Sequence, residues 1–519
     1  MYAPLRHARH IGAAEKAPRR VRCKTCRTAR AVIGPLSRMQ LDWLHLGTLV
    51  ACAHGLGVIA ACHAILHTRT SQGAIAWAVS LVAMPYLTLV PYLFLGRSRF
   101  EGYVDARRVE YEAIRERRLD LVGDIGTQSD ALDSAPVNRL GVQTITALSS
   151  LAHMPFLAGN HVRTLVNGEA TFAAIFDAID TARHYVLIQF FIIRADTVGD
   201  MLRDALLAKA AQGVQVHLLY DSIGSIDLPA AYVSALRAGG VQVHAFATNR
   251  RFVNRFQLNF RNHRKIIVVD GERAFIGGHN VGIEYLGGKP PLSPWRDTHI
   301  EVRGPVVKQI EFVFVEDWFW ATQRLPRTTP PIRPCGGNMH CQVIASGPAD
   351  RQETCSLFFV AAIHAARERI WITSPYLIPD EAVFAALRLA VMRGVDVRVL
   401  IPSRRDHIVV FEASRLYAHD MAHAGVPVFR YRPGFLHQKV VLIDCVAAAI
   451  GSANLDNRSF RLNFEIMLLT VDSTFAAEVA AMLEADFALS DPVQASEYAR
   501  TPAWRRMVMH VARLFAPIL

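Results

Sequence analysis

The eight cysteines of this chain have no paired spacing that would indicate a disulfide framework or a zinc site. Cys23 and Cys26 form one C-x-x-C motif without a second pair, so we interpret that motif as incidental. The 21 histidines also lack a spacing that would gather several of them with a carboxylate around one ion. We therefore expect a function that requires no metal and no other cofactor.

Two long segments near the N-terminus lack any formal charge. Residues 44–66 and 73–96, of 23 and 24 residues, are each long enough to cross a hydrocarbon core of about 30 Å as a helix. Only Arg69 carries a formal charge in the connection between them. The sequence predicts a transmembrane hairpin over residues 43–96, and a helical hairpin buried in a soluble protein is the alternative. A mean hydropathy of +0.19 favours the membrane.

Acidic residues are scarce in residues 1–42, where only Glu15 and Asp42 accompany ten lysines and arginines. We interpret this segment as a basic cytoplasmic tail, although an arginine-rich start is also typical of a transit peptide. Basic residues flank both ends of the hairpin, so the positive-inside rule predicts that both termini lie in the cytoplasm. The formal net charge of +12 indicates a polyanionic partner, either nucleic acid or anionic lipid.

One motif occurs twice, 174 residues apart. It consists of a histidine, a lysine two residues later and an aspartate five residues after the lysine, with four branched apolar residues in the gap. An asparagine follows each histidine after 17 residues. The two sets are His263, Lys265, Asp270 and Asn280, and His437, Lys439, Asp444 and Asn454. The apolar run predicts a buried strand, on which the histidine and the lysine share one face.

Two such sets facing each other would surround one cavity with two imidazoles, two ammonium groups and two amides. Lysine and asparagine donors can bind the non-bridging oxygens of a phosphodiester. One histidine can attack the phosphorus, and the other can protonate the leaving alkoxide. This chemistry needs no metal.

An internal repeat surrounds the motifs, because residues 169–196 align without a gap with residues 353–380. Each copy predicts a helix and a strand, followed by a further helix and strand, which indicates α/β layering. Two halves of this kind predict a pseudo-twofold enzyme with its site at the seam. We divide the chain into a tail (1–42), the hairpin (43–96), a linker (97–155), a first lobe (156–330), a second lobe (331–495) and an amphipathic C-terminal helix (496–519).

The paired motifs resemble those of the phospholipase D superfamily, and their flanks resemble the bacterial cardiolipin synthases more narrowly. The flanking segments that carry the resemblance are 261–266, 274–282, 284–287, 295–299, 374–376 and 451–460. The resemblance runs from about residue 70 to the C-terminus. It implies two α/β sandwich lobes in a bacterial cytoplasmic membrane. It also implies reversible phosphatidyl transfer between two phosphatidylglycerol molecules through a phosphatidyl-histidine, which yields cardiolipin and glycerol.

The resemblance suggests that His263 and His437 divide nucleophilic attack and proton transfer between them, with the nucleophile left open. The two lysines and two asparagines are expected to bind phosphate oxygens. Ser452 is expected to assist them, whereas the first half has Gly278 at the equivalent position.

Carboxylates are expected to support the two histidines. Asp270 and Asp444 stand at odd offsets from the histidines, so we expect them to form supporting ion pairs. A histidine base usually needs an acidic orienting partner, and Glu465 fits that role. Asp297 is its counterpart in the first half if residues 284–294 are an insertion.

Two further segments indicate contact with an anionic surface. Residues 250–265 interleave arginines with aromatic residues, a pattern that suits single-stranded nucleic acid or lipid head groups. Given the hairpin, we expect lipid and no nucleic acid. In the C-terminal segment the apolar residues of one helical face are Trp504, Val508, Val511, Phe515 and Ile518. Such a helix can lie on an anionic bilayer or dock on the protein.

Other functions share these motifs. A phospholipase D or a nuclease would use water as the acceptor, and a related transferase would use serine or phosphatidylethanolamine. A membrane-tethered binding protein would carry decayed sites, but both motifs are intact here. The sequence makes no prediction about the oligomeric state.

Overall fold

A computed structural model describes residues 35–68, 71–96, 139–246, 259–326, 328 and 335–519. Residues 1–34 of the predicted basic tail, residues 250–258 of the basic and aromatic segment and most of the predicted linker lie outside these residues. The helices are α1 Pro35–His67, α2 Ser71–Ala83, α3 Pro85–Leu95, α4 Val142–Ala152, α5 Asn167–Thr181, α6 Thr197–Ala211, α7 Ala230–Ala238, α8 Val307–Thr322, α9 Thr354–Ala365, α10 Glu381–Met392, α11 Ile408–His423, α12 Asn457–Arg461, α13 Ser473–Ala488, α14 Glu497–Arg500 and α15 Ala503–Arg513. Short 3-10 helices span Ile283–Leu286 and Ala516–Ile518.

The strands are β1 Leu157–Val166, β2 Tyr185–Phe190, β3 Gln215–Asp221, β4 Gln242–Phe246, β5 Arg261–Asn262, β6 Ile266–Val269, β7 Arg273–Gly277, β8 Trp295–Arg296, β9 Thr298–Arg303, β10 Met339–Ser346, β11 Arg369–Thr373, β12 Leu377–Ile378, β13 Asp396–Pro402, β14 Val428–Tyr431, β15 Phe435–Leu436, β16 Val440–Ile443, β17 Ala447–Gly451, β18 Leu455–Asp456, β19 Asn463–Val471 and β20 Ser490–Pro492.

The N-terminal hairpin is only partly as predicted. Helix α1 contains the apolar stretch His45–His67, which is long and apolar enough to cross a membrane. The second segment is not one helix, because α2 ends at Ala83 and α3 begins at Pro85. Proline lacks the N–H that a continuous helix requires, and its ring crowds the preceding turn. Both short helices pack on α1, and most apolar side chains of the hairpin are exposed, unlike those of a buried soluble hairpin.

The two lobes share one large sheet whose order reads β20-β14-β13-β11-β16-β17-β19-β10-β1-β9-β7-β6-β2-β3-β4. Strands β10 and β1 are antiparallel neighbours at its centre. Outward from this pair, each half presents equivalent strands in the same sequence, which is the arrangement that a pseudo-twofold axis between the two strands produces. The predicted α/β fold with two related lobes is therefore confirmed.

The sheet is covered on both faces, which explains the uninterrupted apolar run of each motif. In β6, Ile266 and Val268 point into a core that contains α8 and α13, while Ile267 and Val269 point into a second core beneath α5, α6 and α7. Strand β16 alternates in the same way between the shared core and the core of the second lobe.

Part of the predicted linker belongs to the packed structure. Helix α4 lies inside the segment that the sequence analysis assigned to the linker, yet Ile145, Leu148 and Leu151 are buried in the core of the second lobe. Their spacing of three residues places them on one helical face. A helix that precedes both lobes in the chain therefore packs on the second lobe.

The C-terminal helix α15 docks on the second lobe with one face and exposes another. Met509 and Ala512 are buried, and Arg513 forms an ion pair with Asp420 of α11 at 2.6 Å. On the outer face, Trp504 and most of its predicted apolar neighbours are exposed. One face of the helix thus docks on the protein, which was one of the two alternatives, and contact of the exposed face with an anionic bilayer stays a prediction.

Candidate active site

A cavity of about 760 Å³ lies at the seam between the lobes. Four of the predicted site residues line it together, namely His263, His437, Asn280 and Asn454. The two histidines come from different repeats, so the cavity exists only because the lobes meet.

His263 is positioned by a strand of the opposite lobe. Strand β5 pairs in parallel with the start of β19, and the N–H of His263 donates to the carbonyl of Phe464 at 3.0 Å. The next residue on β19 is Glu465, whose Oε2 atom lies 2.9 Å from Nδ1 of His263.

His437 is held by the equivalent arrangement in the other half of the pseudo-twofold. Strand β15 pairs in parallel with β8, and the N–H of His437 donates to the carbonyl of Arg296 at 2.7 Å. The Oδ2 atom of Asp297 lies 2.7 Å from Nδ1 of His437. The two predicted carboxylates therefore contact the histidines crosswise, each from the other lobe.

The charges of these pairs follow from burial and from their neighbours. Burial opposes the charged form of Glu465, but His263 and Lys265 outweigh it and hold the pKa of Glu465 below its usual value. For Asp297, burial is likewise outweighed by nearby histidines and Lys439, which keep its pKa well below the usual range. Both carboxylates are thus ionised acceptors.

Both imidazoles are neutral near pH 7. Burial lowers the pKa of His263 and of His437 to about 4, against the opposing effect of the carboxylates. An ionised carboxylate can only accept, so each Nδ1 carries the proton and donates it. The Nε2 atom of each ring is then unprotonated and available as a nucleophile or a base.

Each lysine stands two residues after its histidine and immediately before its motif strand, β6 or β16. The Nζ atom of Lys265 donates to the carbonyl of His263 at 2.6 Å, and that of Lys439 donates to the carbonyl of His437. Burial lowers the pKa of Lys439 to about 8 and places the pKa of Lys265 well below its usual value. Each ammonium group retains N–H donors beyond the carbonyl that it contacts.

The asparagines are not equivalent. The side-chain amide of Asn280 donates to the hydroxyl of Tyr285 at 2.8 Å, and its Oδ1 accepts from the N–H of Ile192 at 3.1 Å. The Oδ1 atom of Asn454 has no hydrogen-bond partner in the part of the chain that the structure describes. Only Asn280 is therefore locked between two protein groups.

The second repeat has a serine, Ser452, at the position where the first repeat has Gly278, and each of these residues lies beside an orienting carboxylate. The hydroxyl of Ser452 donates to Glu465 at 2.5 Å and accepts from the N–H of Ile466 at 3.0 Å. Ser452 is completely buried, so it supports the carboxylate and does not face a phosphate. A Cβ atom on Gly278 would overlap the carboxylate of Asp297, which explains the glycine in the first half.

The expectation that Asp270 and Asp444 form ion pairs is wrong. Asp270 accepts the backbone N–H groups of residues 183, 184 and 185 at 2.7 to 2.8 Å. Asp444 accepts those of residues 367, 368 and 369 at 2.8 to 3.1 Å. Both occupy left-handed turns, with φ of 51° and 52°, at the far end of the motif strand. A short side chain near a turn binds exposed amides more readily than it reaches a cation.

Several residues around the site were missed by the sequence analysis. Buried ion pairs join Arg264 to Asp317 and Arg296 to Asp486, each at 2.8 Å. Asp317 is buried in helix α8, but that helix also contains Lys308, Glu311 and Glu316, so no distinct signal in the sequence marked it. The rings of Tyr285 and Trp295 also contact His437.

No group of three or more histidine, cysteine, aspartate or glutamate side chains with metal-binding geometry occurs among the described residues. The ionisable groups in the cavity wall are imidazole, ammonium, guanidinium and carboxylate groups.

Two α/β repeats that each contribute a histidine, a lysine and a carboxylate to one seam define the phospholipase D superfamily. A family model described as "Cardiolipin synthase, PLD-like domain" matches residues 175–318 and 359–487, more than half of the chain. The chain belongs to the cardiolipin synthase family of that superfamily.

Related proteins align with this chain over nearly its whole length. The chain is 59% identical over 473 residues to "Cardiolipin synthase A" of Pseudomonas fluorescens, covering 91% of this chain and 98% of the relative. It is 58% identical over 485 residues to the protein of the same description from Pseudomonas aeruginosa, covering 93% and 98% of the two chains.

A solved structure shows the same fold. Phosphatidylserine synthase from Haemophilus influenzae superimposes with a TM-score of 0.56 at 15% identity, covering 73% of this chain and all of that one. A second model, described as "Phospholipase_D-nuclease N-terminal", matches residues 55–97. Together with the apolar helix α1, this match identifies a membrane-associated protein.

Proposed function

We propose that this protein joins two phosphatidylglycerol molecules into cardiolipin, with release of glycerol, through a phosphatidyl-histidine intermediate. The observation that carries the proposal is the pair of crossed contacts in which carboxylates of opposite lobes hold Nδ1 of His263 and Nδ1 of His437 beside one cavity. Both Nε2 atoms are thereby left for chemistry on a single phosphodiester. The similarity to relatives described as cardiolipin synthases supports the choice of acceptor.

In the first step, Nε2 of one histidine attacks the phosphorus of the donor lipid and forms a P–N bond. The P–O bond to the head-group glycerol breaks, and the other histidine, as imidazolium, gives its proton to the departing oxygen. In the second step, the now neutral histidine takes the proton from a hydroxyl of the second phosphatidylglycerol. The oxygen of that hydroxyl bonds to phosphorus as the P–N bond breaks, and either histidine can be the nucleophile in this scheme.

Substrate charge supplies the protonation state that the first step needs. Burial favours the neutral form of both imidazoles, whereas an anionic phosphodiester beside them favours the charged form of one. The ionised carboxylate behind each ring stabilises the imidazolium further. Lys265 and Lys439 are suited to bind the phosphate oxygens, because they stand directly behind the cavity wall with donors to spare, and the amide of Asn454 stands in that wall.

The proposed setting is the bacterial cytoplasmic membrane, crossed more than once, with the catalytic lobes on the cytoplasmic side. The supporting observation is the excess of basic residues that flank the hairpin at both ends. Protease added to inverted vesicles should cleave the lobes, whereas protease added to intact spheroplasts should leave them whole. Cleavage in spheroplasts alone would reverse the orientation.

The exposed face of α15 is proposed to lie on the bilayer surface. Trp504, Met507 and Leu514 are 69%, 65% and 78% exposed on a helix that is anchored to the lobe by its opposite face. An amphipathic helix with exposed tryptophan and arginine suits the interface of an anionic membrane. This contact would hold the cavity mouth near its lipid substrates.

The test of the function uses full-length protein in membranes with phosphatidylglycerol labelled in its head-group glycerol, without nucleotide or metal. We expect glycerol release and cardiolipin formation in equal amounts. Both should be lost in His437→Ala and kept in His161→Ala, which alters an exposed histidine outside the cavity. Glycerol release with phosphatidic acid as the product would identify a hydrolase, and no release by folded protein would overturn the substrate assignment.

A further inference from the structure

Two arginines line the cavity on the side of His263. Arg261 is two residues before His263 on β5, where it pairs with Asn463 of β19. Arg458 lies on α12, four residues after Asn454. Both guanidinium groups are partly buried in the cavity wall.

Arg458 is fixed in place but not neutralised. Its guanidinium donates to the carbonyls of Asn259 and Ile518 at 2.9 and 2.8 Å. It forms no ion pair within the described part of the chain, and Asp456 acts on it only from a distance. A guanidinium has five N–H donors, so donors remain on a cation that is held rigidly at the cavity.

A second guanidinium, that of Arg261, lies near Arg458, and the carboxylates of Asp221 and Asp456 also act on these arginines. Burial, followed by the charge of Arg458, lowers the pKa of Arg261 to about 10. Two adjacent guanidinium groups in a partly desolvated wall repel each other, and an anion that contacts both removes that cost. Guanidinium groups are the side chains best matched to the oxygens of a phosphate.

The equivalent position in the other repeat has the opposite charge. Glu284 follows Asn280 by four residues, as Arg458 follows Asn454. Glu284 accepts from Arg194 at 2.6 Å, so the cation on that side is neutralised. At this position the two repeats therefore differ in charge, with a guanidinium in the second repeat and a paired carboxylate in the first, on a cavity wall that also contains Lys289, Arg405, Asp406 and Asp456.

We propose that Arg261 and Arg458 bind the phosphodiester of the acceptor lipid, the second phosphatidylglycerol, while its hydroxyl reaches the phosphorus on the enzyme. This inference rests on the proposed function. The donor phosphate occupies the space between the two histidines, so a second phosphate anion in the same cavity needs its own cations. The acceptor differs from free glycerol and from water by that phosphate, and the two arginines select it.

The test compares an anionic with a neutral acceptor in the same protein. Cardiolipin formation requires phosphatidylglycerol as the acceptor, whereas exchange of labelled free glycerol into phosphatidylglycerol requires only the donor site. Arg261→Gln should reduce cardiolipin formation by about 10- to 100-fold, chiefly through the KM for phosphatidylglycerol, and should change glycerol exchange by less than about threefold. Arg458→Lys keeps the positive charge but loses the planar set of guanidinium N–H donors. We therefore expect a smaller loss of cardiolipin formation, again with little change in glycerol exchange.

Arg393→Gln is the matched control. The guanidinium of Arg393 also donates to main-chain carbonyls, those of residues 363, 364 and 366, but it lies outside the cavity. Both reactions should be unchanged in this variant.

Each outcome decides between alternatives. An equal loss of both reactions in folded Arg261→Gln would assign the arginine to the donor phosphate and overturn the proposal, as would no loss in either reaction. If Arg261→Gln does not fold, Arg458→Lys carries the comparison alone, and the same two outcomes would overturn the proposal. Absence of glycerol exchange in the unaltered protein would instead contradict the proposed function.

Discussion

The Nδ1 atom of His263, in the first repeat, lies 2.9 Å from the Oε2 atom of Glu465, in the second. With the reciprocal contact of His437 and Asp297 at 2.7 Å, neither lobe contains a complete histidine–carboxylate pair of its own. A change that separates the lobes therefore disables both histidines at once. This dependence on the seam leads to the first two predictions.

Glu465→Gln should lower kcat by about 100-fold or more while the protein remains folded. A glutamine amide can donate to Nδ1 and so favour the wrong tautomer, and it no longer stabilises the imidazolium. Rates of cardiolipin formation and circular dichroism check the prediction. Glu484→Gln, at an exposed position of α13, is the control and should be unchanged. Full activity in Glu465→Gln would remove the orienting role.

Gly278→Ser, which copies the residue of the second repeat, should reduce kcat by about 100-fold. The new Cβ atom overlaps the carboxylate of Asp297 and must displace it from His437. The reverse comparison is Ser452→Ala, which leaves the space open and removes one hydrogen bond to Glu465, so we expect a loss of only about 3- to 10-fold. Equal effects of the two substitutions on steady-state rates would contradict this steric account.

The pH dependence of kcat/KM should have a falling limb near pH 8. Burial depresses the pKa of Lys439 to about 8, so its ammonium charge is present below that pH and is lost as the pH rises through it. Loss of the charge weakens binding of the phosphodiester, whose own charge is constant in this range. A bound phosphate anion raises the pKa again, and the limb in kcat should lie at higher pH. Recovery of the rate on return to pH 7 is the control, and a flat kcat/KM up to pH 10 would contradict the prediction.

Asp444→Asn should lower stability more than activity. The carboxylate of Asp444 accepts three backbone N–H groups, and asparagine keeps the left-handed turn but provides a single neutral acceptor. We expect a loss of about 1–3 kcal/mol in the free energy of unfolding and a lower Tm. Thermal inactivation measures this effect, and kcat at low temperature should stay within about threefold. A large loss of kcat at unchanged Tm would instead indicate a direct part in the reaction.

The exposed face of α15 can be tested by adding charge to it. Met507→Asp combined with Val511→Asp should reduce activity on phosphatidylglycerol in bilayers about 10-fold, since both side chains would have to leave the interface. Activity on short-chain phosphatidylglycerol in micelles should change little. Met392→Asp on α10, which is 73% exposed, is the matched control. Equal activity of the double variant on bilayers would exclude the membrane contact.

Much of the architecture could be predicted from local patterns. The strands β6 and β16 follow from branched apolar runs, and the helix and strand boundaries of the repeat agree with the gap-free alignment to within a few residues. The prediction of one continuous second membrane helix was wrong, because the helix is interrupted at Met84 before Pro85, although the proline was visible in the sequence. The prediction of an ion pair for Asp270 was wrong, because its carboxylate accepts hydrogen bonds from nearby backbone N–H groups and does not bind a more distant cation.

The histidines, lysines and orienting carboxylates could be named from the chain alone, since repetition and spacing are properties of the chain. Their partners could not, because His263 and Glu465 are 202 residues apart and no local pattern encodes which lobe supplies the carboxylate. The same holds for Arg261 and Arg458, which are ordinary arginines until the folded seam brings them to one wall. Local geometry sets the strands, but the side chains that surround a substrate are chosen by the pairing of β5 with β19 and of β15 with β8, which only close packing of the two lobes can establish.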